Sequence, residues 1–477
     1  MKASLVYLLF FLTALPARAD GLAEHPEVAP RLALYATWAG EQMAYRHQPG
    51  VVVGIVHEGE LVWARGFGVR DVESGLPATS ETVFRIGSVT KLLTATAAAQ
   101  LWERGALRLD DPASAHLPWL AGRAPGGPPI TVRQLLTHTS GLPREAAFPY
   151  WTDRRFPSRE RMIAALADQE SDFGPGERYQ YSNLGLALLG EVVAAVAGMP
   201  WEDYVTRHVL EPLGMTSTTL RWADLDRERL ATGYLLGGLE APPTDSQALA
   251  PAADASSTVA DLARFLAAHL TGRPPILAPW TRREMHRVHW LDEGWTSGRG
   301  LGFSVWRRGE RTLVGHGGWV AGYRSQVAFD RGSRFGVVVL TNSDEGGPGV
   351  YLDQAFDFVV PAMEKAVRPA PAPPAVADPG RFAGSYHNPW GEVTDVLVVG
   401  GGLATYERTY PPASDLGSRL TELTPDGEHA FRKPDGGERV VFELRPDGRV
   451  ARVKVGENYL FPEDCGRIGE DLRCTWE

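Results

Sequence analysis

The spacing of hydrophobic and polar positions changes along the chain, and each change predicts a different kind of element. Near the N-terminus, Val51-Val52-Val53-Gly54-Ile55-Val56 and Leu61-Val62-Trp63-Ala64 flank the polar His57-Glu58-Gly59-Glu60. Two β-rich runs around a short turn containing glycine predict a β-hairpin. From residue 88 to about residue 270 the apolar positions recur at helical spacing, interrupted by Gly/Pro clusters such as residues 123–129. One of these runs, residues 184–197, is closed by Gly198 in the position that caps a helix. Strand signals return after Gly302, as short runs at 303–306, 312–314, 325–329 and 335–340. Strands at both ends with helices between predict an α/β (α+β) arrangement: one antiparallel sheet flanked by helices, with an all-helical region inserted.

Beyond residue 367 the pattern changes again. Arg368-Pro369-Ala370-Pro371-Ala372-Pro373-Pro374-Ala375 reads as a Pro-rich, semi-rigid linker spanning residues 368–377. Further on, Pro425-Asp426-Gly427, Pro434-Asp435-Gly436 and Pro446-Asp447-Gly448 punctuate β-rich stretches. Proline presets φ, aspartate caps the turn and glycine accepts positive φ, so each predicts a turn in an antiparallel meander. Residues 378–477 are therefore expected to form a separate small β-barrel-like domain, and residues 20–367 the main domain.

Residues 1–19 have the plan of a secretory leader: Lys2, an apolar core at residues 5–15, and Ala17-Arg18-Ala19 before Asp20. The apolar core is about half of the roughly 20 residues that a membrane span needs, so the expectation is a periplasmic or secreted protein without a stable membrane anchor. The chain has 477 residues, 44% hydrophobic and 22% charged, with a formal net charge of −10. No run of Lys or Arg appears, which argues against nucleic acid as a partner. Cys465 and Cys474 are close enough in sequence to pair once exported, and the alternative is two free thiols. No Cys/His cluster suggests a metal, and no cofactor is expected.

Lysine is scarce, occurring only as Lys2, Lys91, Lys365, Lys433 and Lys454. One of the five stands in Ser88-Val89-Thr90-Lys91, at the start of an Ala-rich helical run. Lysine sheds its proton when desolvated and arginine does not, so a lysine one helical turn from a serine is suited to base chemistry. The plain alternative is a capping serine and a solvated lysine. Two further clusters change that balance: Tyr181-Ser182-Asn183, opening the run to residue 197, and His316-Gly317-Gly318, between two strand-like segments. Each is weak alone, since Tyr181 could be a buried anchor and His-Gly-Gly is commonly a turn. Their order and wide spacing are far more specific.

With these motifs, and with connecting phrases such as Leu135-Leu136-Thr137-His138-Thr139-Ser140-Gly141-Leu142 and Pro212-Leu213-Gly214-Met215, the chain resembles the class C β-lactamase-like serine hydrolases. That group includes β-lactamases, D-alanyl-D-alanine carboxypeptidases, D-aminopeptidases and esterases. The resemblance implies a β-lactamase/transpeptidase-like fold and an acyl-enzyme mechanism on a small-molecule or peptide substrate. By resemblance, Ser88 is the nucleophile, Lys91 its base, Tyr181 a proton relay and Asn183 an orienting and substrate-binding group. His316 takes the place of the lysine in the relatives' Lys-Thr-Gly and is expected to donate a hydrogen bond to Tyr181 or substrate. Gly317 and Gly318 admit substrate to the strand edge, and the backbone N–H groups of Ser88 and Trp319 form the oxyanion hole.

Two departures bear on substrate. His316-Gly317 lacks the fixed charge and the hydroxyl with which relatives hold a carboxylate. Small esters, amides or peptides with a free N-terminus are therefore expected over β-lactams and D-Ala-D-Ala peptides, unless an arginine elsewhere supplies the charge. Ala253-Asp254 stands where relatives often carry Gly-Gly. An α/β-hydrolase reading of His-Gly-Gly-Trp fails, because no Gly-x-Ser-x-Gly elbow follows it. A non-catalytic binder of cell-wall peptides would be signalled by loss of Ser88, Lys91 or Tyr181, and all three are present.

Overall fold

A computed structural model describes residues 21–121, 128–166, 173–367, 378–409, 411–412, 415–434 and 437–463. The leader at 1–19, the linker at 368–377, Cys465 and Cys474 lie outside the described residues. The main sheet has eight strands, all antiparallel, in the order Glu60–Gly68, Gly50–His57, Phe335–Thr341, Tyr323–Asp330, Arg311–Val320, Ser304–Arg308, Ser297–Arg299 and Trp290–Leu291. The N-terminal hairpin thus joins strands from the far side of the helical region, with Val51 opposite Thr341 and His57 opposite Phe335.

The two central strands, Gly50–His57 and Phe335–Thr341, are buried at every position because both faces of the sheet are covered. Alternate side chains serve separate cores. Val51, Val53, Val337 and Val339 pack with Tyr35, Trp38 and Phe356 from helix Ala29–Tyr45 and the helical run 348–367. Val52, Val338 and Leu340 face the other way, onto helix Val259–Thr271 and the helical region. Gly54 allows that helix to approach: a Cβ there would lie 2.4 Å from Val259 Cγ1.

Helix Thr90–Glu103 lies inside the helical region, buried from Thr90 to Leu101. A helix apolar or Thr/Ala-lined on every side belongs in an interior, and its small residues let helix Asn183–Ala197 pack against it. Beyond residue 377, eight short strands from Gly384–His387 to Asn458–Pro462 close into an antiparallel barrel, filled by Phe382, Tyr386, Phe431 and Phe442. The barrel docks on the helix layer across the sheet from Thr90–Glu103: Tyr406 and Leu416 join that layer's core, and Arg31 pairs with Glu422 at 2.9 Å.

Candidate active site

The strand Arg311–Val320 runs straight through His316-Gly317-Gly318, where the sequence suggests a turn. Pairing with Tyr323–Asp330 along its length outweighs the low strand preference of glycine. On its other side only Arg311–Gly315 is paired, with Ser304–Arg308, so His316–Val320 forms an open edge. The alternation of an antiparallel ladder turns the N–H and C=O of Gly317 and Trp319 toward that edge. The turn Gly87–Val89 fits against it. Gly87 has φ +51°, and a Cβ on it would sit 2.7 Å from the Trp319 nitrogen; a Cβ on Gly318 would meet the Ile86 carbonyl oxygen at 2.0 Å. The two glycines let Ser88 and Trp319 come together.

Ser88 leads into helix Thr90–Glu103, and Lys91 follows one turn later, completely buried. Lys91 Nζ lies 3.0 Å from Ser88 Oγ, 2.7 Å from Asn183 Oδ1 and 2.7 Å from the Ala252 carbonyl oxygen. The carbonyl and amide oxygens only accept, so two of the amine's tetrahedral positions are donors to them, and the third points at Ser88. Burial pushes the Lys91 ammonium well below the ordinary lysine range; Glu145 opposes that shift and Arg144 adds to it. A neutral amine in this setting directs its lone pair to the Ser88 hydroxyl.

Ser182 caps helix Asn183–Ala197 through its hydroxyl, which accepts from Gly185 N–H at 2.8 Å and donates to the Pro143 carbonyl at 2.7 Å. This anchors Tyr181 and Asn183 on either side of the cap. The Tyr181 ring stacks on His138 at 4.4 Å between centroids, with Lys91 Nζ 4.9 Å from its centroid and Arg144 5.0 Å from it. Burial raises the Tyr181 phenol well above its usual range, while a hydrogen bond with Ser88 partly offsets this. Tyr181 therefore keeps its proton where Lys91 can lose one.

His316 is buried, and its Nδ1 lies 2.5 Å from the Gly317 carbonyl oxygen. A carbonyl only accepts, so Nδ1 carries the proton. Burial, with Lys91 adding to it, lowers the His316 pKa to about 3. The neutral ring presents Nε2 as an acceptor. The sequence reading expects a donor to Tyr181 or substrate; here the donating nitrogen is turned to the Gly317 carbonyl, which leaves Nε2 as an acceptor. Trp319 is 38% exposed and forms the mouth, its ring 5.4 Å from Trp151 and its Nε1 donating to Asp344 at 2.8 Å.

The structure thus brings together Ser88, Lys91, Tyr181, Asn183, His316, Gly317, Gly318 and Trp319. It also brings in residues without assigned roles in the sequence. His138 takes a left-handed conformation at the end of helix Val132–Thr137 and accepts the Ser182 N–H on Nδ1. Glu145 accepts from Asn183 Nδ2 at 2.6 Å. Arg144, which pairs with Glu145 at 3.4 Å, and Arg324 line a cleft of about 630 Å³, and among the described residues that line it there is no aspartate or glutamate. The fixed charge missing at position 316 is therefore present in the cleft, from residues no motif marks.

A buried lysine poised on a serine, at the junction of an antiparallel sheet and a helical region, is the arrangement of the β-lactamase and penicillin-binding-protein class, whose members are usually serine hydrolases. The Beta-lactamase family model matches residues 36–360, and the chain belongs to that family. Human beta-lactamase-like 1 is 30% identical over 404 residues, covering 79% of this chain and 76% of that protein. Protein flp of Staphylococcus aureus (strain MW2) is 27% identical over 300 residues, 62% of this chain; the match spans 60% of the relative's length. Among solved structures, the octameric penicillin-binding protein homologue from Pyrococcus abyssi superposes with a TM-score of 0.64 at 27% identity, covering 90% of this chain and 99% of that one.

Proposed function

We propose that the protein is an exported serine hydrolase that forms an acyl-enzyme on Ser88, acting on small esters, amides or peptides. The observation that carries this reading is the hydrogen-bond set at Lys91, in which two acceptors leave the third position of Nζ to Ser88. Ser88 Oγ gives its proton to Lys91 Nζ as it bonds to the substrate carbonyl carbon. The carbonyl electrons move to oxygen, which the N–H groups of Ser88 and Trp319 stabilise. Collapse of that intermediate expels the leaving group, protonated from Lys91 through the Tyr181 hydroxyl. Water then attacks the acyl carbon, loses its proton to the same pair and releases the acid and Ser88. The separated proton affinities of Lys91 and Tyr181 suit them to these roles, base and carrier. Arg144 and Arg324 extend the substrate range to carboxylate-bearing acyl donors.

A fluorophosphonate probe followed by intact-mass and peptide mapping tests the reading. One adduct on Ser88, lost in Ser88→Ala, is the expected result. An adduct elsewhere, or hydrolysis retained by Ser88→Ala in a panel of nitrophenyl ester, D-alanine nitroanilide and chromogenic cephalosporin, would sink it.

A further inference from the structure

Glu145 stands behind the site, out of the cleft lining itself but paired with one of its members, Arg144, at 3.4 Å. Its Oε1 accepts from Asn183 Nδ2 at 2.6 Å, and its Oε2 accepts from the Tyr150 hydroxyl at 2.6 Å. Tyr150 is completely buried and takes the Ala146 N–H on the same hydroxyl at 3.1 Å, so the phenol is fixed as a donor to Glu145. The loop is held in turn by the N-terminus of helix Asn183–Ala197, where Asn183 N–H donates to the Arg144 carbonyl at 2.8 Å.

A side-chain amide can sit in either of two orientations, and a carboxylate, acceptor on both oxygens, selects one. With Nδ2 committed to Glu145, Asn183 must turn Oδ1 to Lys91 Nζ, 2.7 Å away. The reverse orientation would set an NH2 against an amine that already donates to Ala252. We propose that Glu145 is a positioning residue for this reaction, fixing the Asn183 amide so that Lys91 presents its free position to Ser88, and holding a negative charge beside the base. The proposal rests on the hydrolase reading above.

Among the described residues, the titratable and charged groups around Lys91 are Tyr181 before the cap of helix Asn183–Ala197, His138 below that ring, His316 on the strand edge, and Arg144 and Glu145 on the loop. Glu145 is the anion among them. Asp254, two residues past the Ala252 carbonyl, is paired with Arg85. Removing the charge of Glu145 therefore takes away the interaction that favours the ammonium and makes Lys91 easier to deprotonate.

The rate of fluorophosphonate labelling at Ser88, followed against pH in the full chain, reads the base without a known substrate. Glu145→Gln loses the charge and keeps one acceptor oxygen, which serves Asn183 when the Tyr150 hydroxyl turns to accept the new NH2. Its acid limb is expected to move to lower pH, with the plateau rate within about threefold of wild type. Glu145→Ala also loses the orientation, and its plateau is expected to fall by about ten- to a hundredfold, the scale of a misplaced catalytic group. A limb that stays in place in Glu145→Gln, or moves up, overturns the electrostatic part. A wild-type plateau in Glu145→Ala overturns the positioning part. Wild-type protein that takes no label at Ser88 overturns the hydrolase reading itself, so the two failures are distinguishable.

Discussion

Lys91 occupies a slot shaped for a primary amine, fully buried and held from two sides by acceptors that arginine would also satisfy. Arginine keeps its charge and offers only donors, so it fills the hydrogen bonds while removing the base. Lys91→Arg is accordingly expected to lose about 10²- to 10⁴-fold in turnover, as Lys91→Ala does. Measured hydrolysis by the arginine variant within a few fold of wild type would reassign Lys91 to electrostatics. The residues readable in the sequence are those whose chemistry is carried by a local motif: Ser88 with Lys91 three positions on, Tyr181 with Asn183, His316 with its glycines. Glu145 acts on Asn183, 38 residues away in sequence, and no periodic or spacing rule connects the two. Arg324 is one of many arginines, and only the register that places it opposite Trp319 brings it to the cleft.

Among the elements, the segment Ala250–Ala253 and the residues after it do the most for the site with the least sequence signal. Ala252 accepts from Lys91, Pro251 accepts from Thr94 at 2.7 Å, and Ala255 N–H donates to Thr90 at 3.1 Å. Asp254 locks it to the chain three residues before Ser88 through Arg85, both side chains being buried, with Ser246 N–H also donating to the carboxylate at 3.2 Å. Arg85 further donates to the Thr244 carbonyl and lies 5.0 Å over the Trp222 ring. The Ala-Asp that departs from the relatives' Gly-Gly is therefore one half of a buried ion pair. Its partner is 169 residues away, which is why the departure could be seen and not interpreted. Asp254→Ala strands a buried guanidinium and is expected to cost about 3–5 kcal/mol, read as a lower denaturation midpoint. Adding Arg85→Met should recover part of that loss; a double variant no more stable than the single one would deny the pair its role. The helices and the hairpin were legible because burial imposes a period on them. The strand through His316–Val320 was not, because two glycines in a row erase the period.

At the scale of the whole molecule, burial of histidine links stability to pH. His138, His269, His286 and His316 are buried, and burial lowers the affinity of each for protons, His269 and His316 to about 3. His269 and His286 face one another at 3.1 Å among Phe265, Phe303 and Phe329. In the unfolded chain each titrates near about 6.5. Their contribution is therefore fully present above that pH. It is lost as pH falls from there toward the folded values, because the unfolded state takes up protons that the folded state refuses. The slope approaches about 1.4 kcal/mol per pH unit for each histidine. Urea midpoints at pH 7.5 and pH 5.5, a window above the carboxylate range, should show a clear drop; equal midpoints would contradict the neutral buried rings. The two-part main domain and the closed barrel could be read from the order of strand, helix and turn signals, whereas the docking of the barrel on helix Ala29–Tyr45 could not, since Arg31 and Glu422 carry no mark of their pairing.

The pairing of Val51 with Thr341 also sets a schedule for biosynthesis. The strand Gly50–His57, buried at every position in the finished protein, is made early and waits for Phe335–Thr341. At about 5–20 residues per second, the ribosome supplies that partner on the order of tens of seconds later. During that interval Val51-Val52-Val53-Gly54-Ile55-Val56 is a bare apolar ribbon with one hairpin neighbour, the kind of segment holdase chaperones grip, so the nascent chain needs escort long before it has an active site to protect.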